Sequence, residues 1–268
     1  EKLNKYSKFK RFSHGATSKI YLTKKNKVTY ICKNENKKSL RKGFKEIKVL
    51  ETINSEYLSK MHEYIIFDSN LFIFMEYENS IDIHKYCFEQ NDNTISKKLL
   101  ISMIKQMGNA IKALHAYNFV HLDIKLENFI ITDKKHIKLI DFGTVHHMYE
   151  GEKKLKSILG TKNYSAPELY RCSYHTNSDV WSYTICVWIL ITNNFCFNHN
   201  EVKSRYTIEN FPYELFRFPT NIHKKILENY NPKIGEMFEH SLKMFPIDRP
   251  NIDYLIDFDY NKYIVSNK

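Results

Sequence analysis

Two carboxylates, an amide and an ammonium fall close together near the middle of this chain. The run His121-Leu122-Asp123-Ile124-Lys125-Leu126-Glu127-Asn128 is followed, after a short apolar stretch, by Asp141-Phe142-Gly143. Phosphoryl transfer needs a group to orient the attacking hydroxyl, oxygen ligands for magnesium, and positive charge against the transferred phosphate. Asp123 suits the first need, Asn128 with Asp141 the second, and Lys125 the third.

Rigid elements must hold these groups in register. Phe9 to Phe12, Ser18 to Leu22 and Val28 to Lys33 read as antiparallel strands between Gly, Asn and Lys turns. From Arg41 the period changes, and Phe44, Ile47, Leu50 and Ile53 suggest a helical apolar stripe; Tyr64 to Phe67 and Leu71 to Tyr77 return to strand character. Beyond Asn79 the pattern is mostly helical. Leu100, Met103, Ile104, Met107, Ile111 and Leu114 recur at helical spacing and end just before the polar run. Phe129 to Thr132 and Ile137 to Ile140 flank Asp133-Lys134-Lys135-His136 as a hairpin, which would bring Asn128 and Asp141 to neighbouring strand ends. Asp179 to Thr192 is apolar nearly all round, so a buried helix is expected. The two halves should meet at one crossing near Glu76 to Asp82.

The polar run and the Asp-Phe-Gly triplet resemble the catalytic loop, H-R-D-x-K-x-x-N, and the metal loop of the eukaryotic-type protein kinases. Gly160-Thr161-Lys162-Asn163-Tyr164-Ser165-Ala166-Pro167-Glu168 is similar to the close of their activation segment, and Asp248-Arg249-Pro250 supplies the arginine partner for Glu168. The resemblance implies an α+β bilobal fold over residues 8–260. Residues 8–77 would form a small antiparallel sheet with one helix, residues 78–260 a larger helical lobe, and 261–268 a tail. It implies ATP and Mg2+ as cofactors and protein serine or threonine as acceptor.

By the same resemblance, Asp123 is the catalytic base, Lys125 neutralises the γ-phosphate, and Asn128 and Asp141 ligate magnesium. Lys33, in Tyr30-Ile31-Cys32-Lys33, would hold the α- and β-phosphates and pair with Glu46 of the following helix. Ser13, Gly15, Ser18 and Ile20 occupy the phosphate-covering loop, where only the middle glycine of the family pattern remains; a stiffer loop is expected. Ile31, Met75 and Ile130 would line the adenine pocket, with backbone groups of Glu76 and Glu78 at its edge. Asp179 would brace the catalytic loop, and Leu50, Met61, His121 and Phe142 would stack into a spine. Glu127 and Asp82 lie where acids meet basic substrates.

Leu122 departs from the family. Where an activation-loop phosphate is read by arginine, leucine cannot pair with it, so phosphorylation at Ser157 is expected to matter little. Thr184 likewise replaces a usual glycine.

Composition narrows the alternatives. With 268 residues and 43% hydrophobic content the chain can bury a large core. The longest apolar run, Thr184 to Thr192, is too short to span a bilayer, so no membrane association is expected. Glu1 is not followed by a secretory leader. The five cysteines form no C-x-x-C pair, which favours reduced thiols and an intracellular setting, cytoplasmic or nuclear. The excess of 41 basic over 30 acidic residues reads as solvated surface, with nucleic acid not expected as partner. Adjacent His146 and His147 read as solvated loop residues, not metal ligands. Two other readings remain: a nucleotide-binding pseudokinase serving as scaffold, and a small-molecule kinase, against which the A-P-E segment speaks.

Overall fold

The computed structural model describes residues 3–14, 19–89, 95–148, 154–197 and 216–264. Five antiparallel strands form the first part: β1 (Ser7–His14), β2 (Lys19–Lys25), β3 (Val28–Glu35), β4 (Met61–Phe67) and β5 (Asn70–Glu76), in the order β1-β2-β3-β5-β4. One helix, α1 (Leu40–Thr52), joins β3 to β4. Alternate residues of a strand share a face, and the register puts Ile20 opposite Lys33, Ile31 opposite Met75, and Lys33 opposite Ile73. Ile20, Ile31, Lys33, Ile73 and Met75 therefore line one side of the sheet. On the other, Tyr30, Cys32, Ile65 and Phe74 form a separate small core with Tyr6.

The helical stripe on α1 differs from the expected one. Gly43, Glu46, Ile47 and Val49 are its buried residues, whereas Phe44 is 45% exposed. Three steps of three residues look periodic in sequence, but nine residues at about 100° each turn half a revolution, so Phe44 and Ile53 cannot share a face.

The chain crosses once, through β6 (Ser80–Asp82), into the second part: α2 (Ile83–Phe88), α3 (Lys97–His115), β7 (Phe119–Val120), β8 (Phe129–Thr132), β9 (Ile137–Leu139) and β10 (His146–His147). The helices α4 (Thr176–Thr192), α5 (Asn221–Leu227), α6 (Pro232–Ser241), α7 (Ile252–Asp257) and α8 (Tyr260–Tyr263) complete it. Together the parts give the two-lobed α+β architecture implied by the resemblance. α3 buries Ile101, Met103, Ile104, Met107, Ile111 and Leu114. Of α4, every residue from Ser178 to Ile189 is buried, as its all-round apolar sequence requires. Thr184 fits there because its hydroxyl donates to the Val180 carbonyl (2.7 Å) within the same helix. No helix among the described residues is long and apolar enough to cross a membrane.

α5 is tied to the end of α4 by a buried histidine. The Thr220 amide donates to His223 Nδ1 (3.0 Å), so Nε2 carries the proton and donates to the Cys196 carbonyl (2.6 Å). Burial lowers the His223 pKa, only partly offset by that carbonyl. A depressed histidine adds stability above its unfolded pKa and loses it as pH falls through the folded one. The melting temperature should fall between about pH 6.5 and 5 more steeply in the wild type than in His223→Gln, as thermal denaturation across that range will show.

Candidate active site

The β8–β9 hairpin does what its sequence suggests. Phe129 pairs with Leu139, and the Ile140 amide donates to the Asn128 carbonyl (2.9 Å), which sets Asn128 beside Asp141. Asn128 Nδ2 donates to the Asp123 backbone carbonyl (2.8 Å). That fixes the amide orientation and leaves Oδ1 as the atom free to act as an oxygen ligand.

Asp123, Lys125 and Thr161 close a triangle. Thr161 Oγ1 donates to Asp123 Oδ1 (2.8 Å), and Lys125 Nζ lies 2.9 Å from Thr161 Oγ1 and 3.0 Å from Asp123 Oδ2. The catalytic loop and the close of the activation segment are thus joined at the residue expected to orient a hydroxyl.

Lys33 joins the lobes. Its ammonium reaches Glu46 Oε2 on α1 at 2.7 Å and Asp141 Oδ1 at 2.8 Å. Burial opposes its charge, but the two carboxylates prevail and raise its pKa. Burial raises the Glu46 pKa against the pull of Lys33. For Asp141, burial works the same way, but Lys33 outweighs it and the pKa falls. Asp141 keeps 52% of its side-chain surface open, whereas Glu46 keeps 1%. Glu35 is absent from the residues expected above, yet its Oε1 lies 3.7 Å from the same ammonium. Its two-residue spacing from Lys33 on a strand was the readable signal.

The remaining expected residues are distributed as follows. Ile20, Ile31 and Met75 share the Lys33 face of the sheet, and Ile130 lies on β8 opposite Lys138. The Glu76 amide is spent on the Lys60 carbonyl (3.0 Å). The Glu78 side chain is ion-paired with Lys138. Gly15, Ser18 and the Ser13 side chain lie outside the described residues. A cavity of about 300 Å³ bordered by Asn79, Tyr86, Asp133 and Lys135 shares no residue with this cluster.

Three further expectations fall on described residues. Asp82 is engaged as the cap of α2, accepting from the Lys85 amide (2.9 Å) and pairing with the Lys85 ammonium (3.2 Å); a short helix starting at Ile83 claims it. His146 and His147 are half-buried in β10, paired with β7, instead of standing in solvent. In the expected spine, His121 and Phe142 meet edge to face at 5.8 Å, with Leu50 on the large core, whereas Met61 packs on the separate cluster of Ile47, Leu71 and Ile73.

Asp179, fully buried, accepts from the His121 and Leu122 amides at 2.8 and 2.9 Å. Glu168 and Arg249 form the expected pair, with two contacts of 2.7 Å. The other guanidinium donors reach the carbonyls of Lys243, Asn177 and Met244 at 2.7, 2.9 and 3.0 Å, so all five are used.

The sequence model of the protein kinase domain matches residues 5–261. The chain is 28% identical over 227 residues to the serine/threonine-protein kinase polo of Drosophila melanogaster, covering 82% of this chain and 36% of that protein. It is 29% identical over 255 residues to the probable serine/threonine-protein kinase PLK of Dictyostelium discoideum, covering 92% and 24%. With the serine/threonine-protein kinase kin-29 of Caenorhabditis elegans it shares 26% identity over 170 residues, covering 63% and 20%. The chain therefore spans little more than a third, at most, of the length of these curated relatives.

A lysine offers three donors from one point and cannot replace the five-donor fork. Arg249→Lys and Arg249→Leu should each destabilise the fold by about 3–5 kcal/mol, since Glu168 would be left poorly paired. Urea unfolding of both variants measures this.

Proposed function

The chain belongs to the protein kinase domain family, and on that footing we propose that it transfers the γ-phosphate of ATP to serine or threonine hydroxyls of protein substrates. The observation that carries this reading is the simultaneous hold of Lys33 on Glu46 and Asp141. A buried cation from the small lobe thus meets an acid of the large one, on the sheet face that also carries Ile20, Ile31 and Met75.

In this reading residues 8–260 form the catalytic unit, with lobes 8–77 and 78–260. Lys33, kept charged by its carboxylates, would hold the α- and β-phosphates, and Ile31, Met75 and Ile130 would enclose the adenine with backbone groups of Glu76 and Glu78 at its edge. Asn128 Oδ1 and the half-exposed Asp141 carboxylate suit a hard cation, and magnesium held there would neutralise charge on the phosphates. Asp123 would accept or orient the proton of the substrate hydroxyl, with Lys125 offsetting γ-phosphate charge. The Thr161 hydroxyl bonded to Asp123 supports serine or threonine as acceptor. With Asp82 engaged as a cap, a preference for basic substrates rests on Glu127.

Asp123→Asn should lower peptide phosphorylation by at least about a hundredfold while nucleotide still raises the melting temperature. Radiolabel transfer and thermal shift on the same samples check both halves; nucleotide stabilisation with no mutation-sensitive turnover would favour the scaffold reading. Ser157 is exposed, and the Leu122 side chain is buried with no charge to pair with a phosphate. Ser157→Ala should match the wild-type rate within about twofold in the same assay; a large loss would show that the segment is read in another way.

A further inference from the structure

β3 carries a third acid toward Lys33. Glu35 lies two residues on, hence on the same face, opposite Leu71 of β5. Its side chain is 1% exposed, with Oε1 at 3.7 Å from the Lys33 ammonium. Its Oε2 has no hydrogen-bond partner among the described residues. Space for this acid depends on Gly43 of α1: a Cβ there would come within 3.2 Å of Glu35 Cγ and 2.5 Å of Leu71 Cδ2. One ammonium thus faces the carboxylates of Glu46, Asp141 and Glu35. Burying an acid with an idle oxygen is unfavourable for folding, and such arrangements concentrate where function requires them.

The three acids differ in access. Asp141 is half open to the cleft, while Glu46 and Glu35 sit behind Lys33 with 1% exposure each. Asp141 is also the carboxylate that magnesium would claim, and it is now held by Lys33 through Oδ1 at 2.8 Å. We propose that Glu35 is a positioning residue, a reserve acceptor that keeps the Lys33 ammonium in place when the Asp141 carboxylate turns to magnesium. The inference rests on the phosphoryl-transfer reading above. A distance of 3.7 Å is one small shift from a charge-assisted hydrogen bond, and the idle oxygen gives Glu35 capacity to take it up. Glu46 alone would leave the ammonium with one anchor.

Glu35→Gln keeps the shape and removes the charge, and Glu35→Leu removes the acceptor as well. Titration calorimetry with a non-hydrolysable ATP analogue and magnesium, together with ligand-free thermal melts, should be run on the wild type, both variants, Lys33→Met and the Lys33→Met/Glu35→Gln pair. Glu35→Gln should melt at or above the wild type and bind the magnesium-loaded analogue roughly fivefold more weakly; Glu35→Leu should bind more weakly still. In the Lys33→Met background the same change should alter affinity by less than about twofold. Wild-type affinity in Glu35→Gln would overturn the proposal, as would an equal loss without Lys33, a lowered melting temperature or failure of both variants to fold. Absence of any nucleotide binding by the wild type would instead remove the phosphoryl-transfer reading, and this inference with it.

Discussion

A carboxylate without a lysine or arginine partner among the described residues holds the centre of the molecule. Asp179, at 0% exposure, takes the consecutive amides of His121 and Leu122 and lies 3.0 Å from His115 Nε2. Leu122 sits at φ +66°, a left-handed conformation that costs a side-chain-bearing residue about 1–2 kcal/mol. Two charge-assisted hydrogen bonds from a fixed helix are what offset that cost. The resulting backbone turn presents Asp123, Lys125 and Asn128 on one side. It also exposes the Leu122 carbonyl to Gly160, where any Cβ would approach it to 2.8 Å and where φ is +88°. Glycine is required there on both counts, and Thr161 then falls within reach of Asp123. The start of α4 reaches further, since Ser178 Oγ donates to Glu168 Oε1 (2.6 Å) beside Arg249. Catalytic loop, activation-segment close and C-terminal arginine are therefore positioned from one helix end.

The small lobe contributes through charge instead of hydrogen-bonded backbone. Its sheet delivers a single buried ammonium into a cluster richer in acid than in base. Within it, burial raises the Glu46 pKa while Lys33 holds that of Asp141 down. The excess acid behind the lysine leaves this side of the sheet with more negative than positive charge.

Much of this was legible from spacing. The hairpin around Asp133 follows from alternation and turn residues and the burial of α4 from its continuous apolar run, whereas the Glu168–Arg249 pair came from the family resemblance. What escaped the sequence depended on three-dimensional phase. Phe44 looked like part of a stripe because equal steps of three conceal a rotation. Spacing puts Glu35 on the Lys33 face, but its burial rests on Gly43, which lets α1 approach closely and which nothing local signals. The capping role of Asp82 was hidden because the six-residue helix it starts has too few turns to show a period. His146 and His147 were legible as neighbours but not as a strand, since their partner is only two residues long.

With leucine at position 122, residues 154–168 are held without a phosphate. An arginine there would need an anion to compensate it; leucine is instead 1% exposed in the large core, and the segment is held by other means. The Leu155 amide donates to the Cys172 carbonyl at 2.6 Å, Lys154 bridges Ser173, and the Leu155 side chain is 7% exposed. Farther along, Tyr164 and Ser165 turn back on the Thr161 carbonyl, each at 2.9 Å. Backbone pairing and apolar burial do not depend on a modifying enzyme, and salt screens them far less than a surface ion pair. A chain fastened in this way has the contact between Thr161 and Asp123 formed as soon as it folds.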